Sequence, residues 1–250
     1  MERPITIIPP HRAEAFAALQ ADILRLQGFT GKRTVARDVG LGPLQEAFPQ
    51  GIFPIGAVHE FLSHRVEDRS ATTGFIAGML SPLMGTKGTS LWISSRRTLF
   101  PPALKAFGLS PEHFIFVDLR RERDVLWAMD EALKCGALTA VVGEVYDLSF
   151  TASRRLQLAV EQSQVTGFVL RHCRNQTVNT TTCVSRWKIT SLPGDVSYGM
   201  PGIGFPQWNV NLLKMRNGKT GNWNVTWRDG RFDLPDADTG IIPLHHKKTG

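Results

Sequence analysis

Apolar positions along this chain follow two periodicities, and the change from one to the other organises the molecule. Between Ala13 and Leu26 they recur at Phe16, Leu19, Ile23 and Leu26, a helical spacing, with Pro9 and Pro10 ahead and Gly28 where a helix would stop. Residues 28–55 are punctuated by glycine and proline and have little periodicity, so they read as a connecting arm that packs on the next unit. From Gly56 a strand–loop–helix pattern begins and repeats. Ala57 to Leu62 is a short apolar run with His59 and Glu60 inside it, followed by a polar loop from Ser63 to Ser70 and a helix from about Ala71 to Leu83. Strands follow at Ser90–Ser94, Phe114–Asp118, Leu138–Val142 and Gly167–Leu170, with helices at Pro102–Phe107, Arg123–Lys134 and Arg154–Gln162 between them. The helix at Arg123–Lys134 is amphipathic, carrying Val125, Leu126, Met129, Ala132 and Leu133 on one side.

Short, wholly apolar strands that alternate with helices predict a parallel sheet covered on both faces, an α/β fold. After Arg171 the character switches. Asn175 to Thr182 is polar, and the strands beyond are expected to be antiparallel: Trp208, Val210 and Leu212 alternate with Asn209 and Asn211, and Trp223, Val225 and Trp227 with Asn224 and Thr226. Asn217-Gly218-Lys219-Thr220-Gly221 between them has hairpin-loop composition, and Asp229-Gly230 turns the chain into a last strand around Phe232 and Leu234. The expected organisation is an N-terminal helix and arm over 1–50, a core domain over 51–235 and a flexible tail over 236–250. No internal repeat is visible.

Composition narrows the class. The chain has 250 residues, 42% hydrophobic and 20% charged, which suits a globular protein with a substantial core. No run reaches the roughly 20 apolar residues of a membrane-spanning helix, and Met1 to Pro10 does not read as a secretory signal, so cytoplasmic residence and no membrane partner are expected. Cys135, Cys173 and Cys183 are odd in number and far apart, which argues against a disulfide framework or a zinc site. The net charge of +7 points to nucleic acid or an acidic protein as a partner, with general solubility as the plain alternative.

A parallel sheet that finishes in antiparallel strands is the plan of the RecA-type ATPase core, and several stretches resemble that family. Gly56-Ala57-Val58-His59-Glu60-Phe61 is similar to the strand leading into its phosphate loop. Leu91-Trp92-Ile93 with Leu99, Pro101 and Leu109 resembles the stretch that carries its catalytic Glu. Ala132 to Glu144 resembles the helix and strand that end in its metal-binding Asp. A narrower likeness is to the ImuA family: Val142-Gly143-Glu144-Val145, Leu148 to Ala159, Thr166-Gly167, Ala71-Thr72-Thr73-Gly74-Phe75, Arg186-Trp187 and the Trp223/Trp227 hairpin. The resemblance covers about residues 50 to 235, most strongly in the middle third.

The departures from the RecA pattern bear on chemistry. A phosphate loop needs Gly-x-x-x-x-Gly-Lys-Ser/Thr: glycines let backbone N–H groups close on the phosphates, lysine neutralises them, and the hydroxyl holds magnesium. At the matching place, Ser63 to Thr73, Ser70 stands for the second Gly and Ala71 for the Lys, leaving Thr72, with Thr73 beside it. Glu67 and Asp68 add negative charge, and one carboxylate near a phosphate costs roughly 4 kcal/mol at about 4 Å and an effective dielectric near 20. Arg65 and Arg69 offset part of this. The resemblance puts Arg96 at the catalytic Glu, where no proton can be accepted. It puts Gly143 at the strand-end Asp, with Glu144 the nearest carboxylate. The degenerate site therefore implies a pseudo-ATPase with no cofactor, no bound metal and no catalytic residue.

Binding surfaces come next. The counterpart of RecA's DNA-contacting loop is Arg171 to Thr182, with Arg171, His172 and Arg174 basic and no aromatic to stack on a base. Lys214, Arg216 and Lys219 cluster on the hairpin and could follow a phosphate track or form a polar face. The mixed run Arg120-Arg121-Glu122-Arg123-Asp124 reads as a solvated helix start. The ImuA resemblance implies an accessory role in damage-induced (SOS-type) translesion DNA synthesis. It implies as partners an ImuB-type Y-family polymerase-like protein and an error-prone C-family DNA polymerase, with RecA and single-stranded DNA as further candidates. Two other classes stay open: a single-stranded-DNA-binding RecA paralogue, and an ATPase with a divergent phosphate loop.

Overall fold

The computed structural model describes residues 38–173, 178–195 and 204–234. Nine strands of these residues form one sheet in the order β3-β2-β4-β5-β1-β6-β7-β8-β9. They are β1 Val58–Ser63, β2 Ser90–Ser94, β3 Phe114–Asp118, β4 Ala140–Val145, β5 Thr166–His172, β6 Ser185–Asp195, β7 Phe205–Met215, β8 Gly221–Arg228 and β9 Arg231–Asp233. The first six are mutually parallel and the last three run antiparallel from β6 onwards. This is the mixed α/β sheet, mostly parallel with antiparallel C-terminal strands, that the RecA-like reading anticipates.

One expectation is corrected. The antiparallel part begins one strand later than the residue pattern implies, because β6 pairs parallel with β1 (His59 opposite Ser185) before β7 folds back on it. Its polar positions Arg186, Lys188 and Thr190 alternate with Trp187 and Ile189, so it has the half-buried pattern of a two-faced strand at the margin of the parallel layer.

Among the described residues three α-helices cover the sheet: α1 Val66–Met84, α2 Glu122–Leu133 and α3 Phe150–Ser163. Helix α1 is apolar nearly all round, and its buried residues include Ala71, Phe75, Ile76, Met79, Leu80 and Leu83. It lies between the sheet and a shell formed by residues 38–55, the 3-10 turn Pro101–Phe107 and the β8–β9 aromatics. Gly78 allows the closest approach: a Cβ there would lie 2.6 Å from Phe232 and 2.8 Å from Trp227. Residues 38–55 form two 3-10 turns, Gly42–Ala47 and Pro49–Gly51, and bury Leu41, Leu44, Phe48 and Phe53 in this layer. The helix read at Ala13–Leu26 and the tail at 236–250 lie outside the described residues.

On the other face α2 and α3 enclose a second core of Val58, Val125, Met129, Leu133, Val141, Leu156, Val160 and Val169. Helix α3 starts at Phe150, earlier than the apolar pattern suggests. Ser149 caps it by accepting the Ala152 N–H at 3.1 Å. Asp229 and Gly230 both take positive φ, 51° and 76°, as a tight two-residue hairpin demands. Trp208 and Trp227 are buried against α1 and Trp223 is partly buried beside them, so the tryptophans pack in this core.

Candidate functional site

In an open parallel sheet, chemistry gathers where the strands end at their carboxyl edge. Here that edge brings together Ser63 of β1, Ser94 of β2 with Ser95 after it, Glu144 of β4, and Arg171 with His172 of β5.

At the β1–α1 junction the chain differs from the sequence expectation. The polar stretch Ser63 to Ser70 is not a loop. Only His64 and Arg65 separate β1 from α1, which begins at Val66. The remainder of the expected loop forms the helix's first turn. Ser70, Ala71, Thr72 and Thr73 therefore sit inside α1, where their backbone N–H groups donate to carbonyls one turn back. Ser70 is exposed, Ala71 and Thr72 are buried and Thr73 is half-buried. The Thr72 hydroxyl donates to the Asp68 carbonyl at 2.7 Å and meets the Ser63 hydroxyl at 2.8 Å. Glu67 and Asp68 occupy the first turn, where their charge suits the positive end of the helix. A hydrogen bond from its own N–H, and then the pairing with Arg65 at 3.4 Å, hold the Glu67 carboxyl below the usual range. The Asp68 carboxylate accepts the Ser191 N–H at 3.4 Å.

Beside this junction, Glu144 faces α1. Its Oε1 accepts the Trp92 indole N–H at 2.7 Å. Its Oε2 lies 3.1 Å from His172 Nε2 and 3.4 Å from the Thr98 hydroxyl. Glu144, His172 and Thr98 line a small cleft of about 100 Å³ together with Arg69, Ser95, Arg96 and Tyr146. Glu144 is thus a buried acceptor with three donors.

Neighbouring residues of a strand point to opposite faces, so Arg171 faces α3 while His172 faces α1. On the α3 side lies Glu60, fully buried in β1. Its Oε1 accepts Arg171 Nη1 at 2.7 Å; its Oε2 accepts Arg186 Nε at 2.7 Å and the Thr181 hydroxyl at 2.9 Å. Arg171 Nη2 also donates to Asp147 and Asn179, each at 2.8 Å. Lys214 Nζ donates to the Thr181 carbonyl at 2.9 Å and Arg216 Nη2 to the Thr182 carbonyl at 2.8 Å. Three of the six basic residues singled out as DNA-binding candidates, Arg171, Lys214 and Arg216, converge on one segment, residues 179–182, and hold it in place. Lys219 stands exposed on the hairpin, its N–H donating to the Ala47 carbonyl at 2.8 Å. Arg174 lies outside the described residues.

Sequence reasoning missed the hub of this network. Glu60 was visible as a carboxylate inside an apolar strand, a signal of a buried ion pair, but its partners lie 111 and 126 residues away. His59 beside it is the centre of a second buried chain. The Trp187 indole donates to Ser185 Oγ (2.6 Å), which is 2.7 Å from His59 Nδ1, and His59 Nε2 is 2.8 Å from the Pro54 carbonyl. Only the neutral imidazole, with its proton on Nε2, satisfies all four groups, and burial pushes the His59 pKa down to about 4. Among the described residues no three His, Cys, Asp or Glu side chains are grouped as metal ligands would be, and no helix is long and apolar enough to cross a membrane.

Sheet order, flanking helices and polar strand ends define an α/β protein with a mostly parallel sheet that finishes in antiparallel C-terminal strands. No protein-family model matches the chain. The proteins called Protein ImuA from two strains of Caulobacter vibrioides are each 31% identical to it over 206 residues, covering 77% of this chain and 84% of theirs. The chain belongs to the ImuA family.

Proposed function

We propose that this chain is a non-catalytic accessory factor of damage-induced translesion DNA synthesis, working through protein partners rather than by hydrolysing ATP. Family membership supports the setting in damage-induced mutagenesis. The start of α1 at Val66 carries the non-catalytic part of the reading. A phosphate loop binds through backbone N–H groups left free to wrap the phosphates; here those of residues 70–73 are spent within the helix. Ala71 supplies no cation, Thr72 directs its hydroxyl to Asp68 and Ser63, and Arg96 is no general base. The partners we assign are an ImuB-type Y-family polymerase-like protein and an error-prone C-family polymerase, with RecA as a further one. The DNA-binding alternative is less favoured, because Arg171, Lys214 and Arg216 are already committed to internal acceptors.

Calorimetric titration with Mg-ATP, a hydrolysis assay and pull-downs with ImuB and RecA test the reading. The expected results are no micromolar nucleotide binding, no turnover, and partner capture that survives reversal of Lys219. Micromolar ATP binding with turnover restores the ATPase reading. Partner capture failing while single-stranded DNA binds with a steep salt dependence favours the DNA-binding reading.

A further inference from the structure

The cleft beside Glu144 contains charge that the fold leaves unused. Two of its seven lining residues, the half-buried Arg69 and the exposed Arg96, are cations with no side-chain ion-pair or hydrogen-bond partner among the described residues. Arg69 is half-buried and its Nε is fully shielded yet unbonded; His172, 6% exposed, likewise has a shielded, unbonded Nδ1. Neither shielded atom opens to the cleft; Arg69 lines it through the rest of its side chain, beside the exposed Arg96. The neighbouring Arg97, by contrast, is neutralised by Asp118 at 2.6 Å. The carboxylate in the cleft, Glu144, is occupied by Trp92, Thr98 and His172, and the acids of the α1 first turn pair elsewhere, Glu67 with Arg65 and Asp68 with the Ser191 N–H. Two free guanidinium groups against one engaged carboxylate leave the cleft net positive.

Size narrows the ligand. A cleft of about 100 Å³ has room for one tetrahedral oxyanion and is well below the roughly 300 Å³ at which pockets for drug-sized ligands begin. We propose that this cleft is a phosphoryl-binding site, in which Arg69 and Arg96 hold a single phosphate group and the hydroxyl of Ser95 adds a donor. Guanidinium groups bind phosphate oxygens in paired, charge-assisted hydrogen bonds. The site grips one phosphate and makes no use of a base or sugar, so it is distinct from an ATP site. The phosphate comes either from solution or from a DNA strand.

The test titrates inorganic phosphate, tripolyphosphate and ATP into the full chain by calorimetry. An oligothymidylate with and without a 5′-phosphate is titrated separately by fluorescence anisotropy. Expected is saturable millimolar phosphate binding, about tenfold or more weaker in Arg69→Met and in Arg96→Met, with ATP binding no tighter than tripolyphosphate. Both variants are checked by thermal melting, and Arg69→Lys is expected to keep part of the affinity. Oligonucleotide binding that free phosphate competes away identifies DNA as the source; phosphate binding with no such competition identifies the free ion. Absence of saturable phosphate binding, or unchanged affinity in folded Arg69→Met and Arg96→Met, overturns the proposal. ATP binding far tighter than tripolyphosphate overturns instead the non-catalytic reading of the chain, so the two failures can be told apart.

Discussion

Replacing Glu60 by Gln keeps the shape of the side chain and removes its charge. Glu60 has no exposed side-chain surface, and its partners Arg171 and Arg186 are 5% and 16% exposed at the side chain. At an effective dielectric near 20 and a charge separation of about 4 Å, each arginine gains about 4 kcal/mol from the carboxylate, against a desolvation penalty of several kcal/mol per ion. The intact cluster therefore contributes little net stability, while breaking it is costly. In Glu60→Gln the one acid left to Arg171 among the described residues is Asp147, a largely exposed carboxylate, and Arg186 keeps no acid among them. The expected loss is about 3–5 kcal/mol, the range for orphaning a buried charge, and a large share of the roughly 5–15 kcal/mol that stabilises a typical domain. Urea unfolding followed by tryptophan fluorescence measures it directly, with an unchanged m-value as the check on two-state behaviour. Glu60→Leu combined with Arg171→Leu should cost at least 2 kcal/mol less than the two single changes summed, because the charges are removed together. A loss below about 1 kcal/mol in Glu60→Gln, or strictly additive costs in the double variant, refutes the reasoning and makes the cluster a set of solvent-screened contacts.

Two further expectations come from buried titratable groups. His59 has its folded pKa depressed to about 4 against an ordinary value of 6.5, so as pH falls from 6.5 towards 4 the unfolded chain takes up a proton that the folded chain refuses. Stability is lost across that window and levels off below it, by about 3 kcal/mol in all; His59→Gln should flatten this part of the unfolding-versus-pH curve, and parallel curves for the two proteins contradict the assignment. Burial also raises the thiols of Cys173 and Cys183, the latter to about 12, whereas Cys135 is exposed. A chromogenic disulfide reagent should therefore react promptly with one thiol of the native protein and with none in Cys135→Ser; three equal rates contradict the burial.

How much of this was legible beforehand depended on whether the governing interaction was local. The apolar runs at Phe114–Asp118 and the stripe Val125-Met129-Leu133 located β3 and α2 to within a residue or so, because burial of one face imposes a period on neighbouring residues. The hairpin at residues 216–220 and the Asp229-Gly230 turn were readable for the same reason: backbone conformation selects residue type on the spot. The start of α1 was not. Ser63 to Ser70 is polar, and polar residues fit a loop and an exposed helical turn equally well. Strand β6 was missed because its place is decided by pairing with β1, about 126 residues away. The sites followed the same division. Sequence located Arg96 as a departure from a family pattern, Glu144 as the carboxylate beside another such departure and Arg171 as a candidate DNA contact, yet neither the Glu60 hub nor the unpaired state of Arg69 can be inferred from residue order. The sequence by itself determined the α/β class, the family and the altered loop chemistry, all carried by residue types in short register. Only the tertiary structure decided which charges neutralise one another and which are left over. Charge pairing acts across a few ångströms of space, and the fold alone brings residues 60, 171 and 186 within that range on one face of the sheet and residues 144 and 172 on the other.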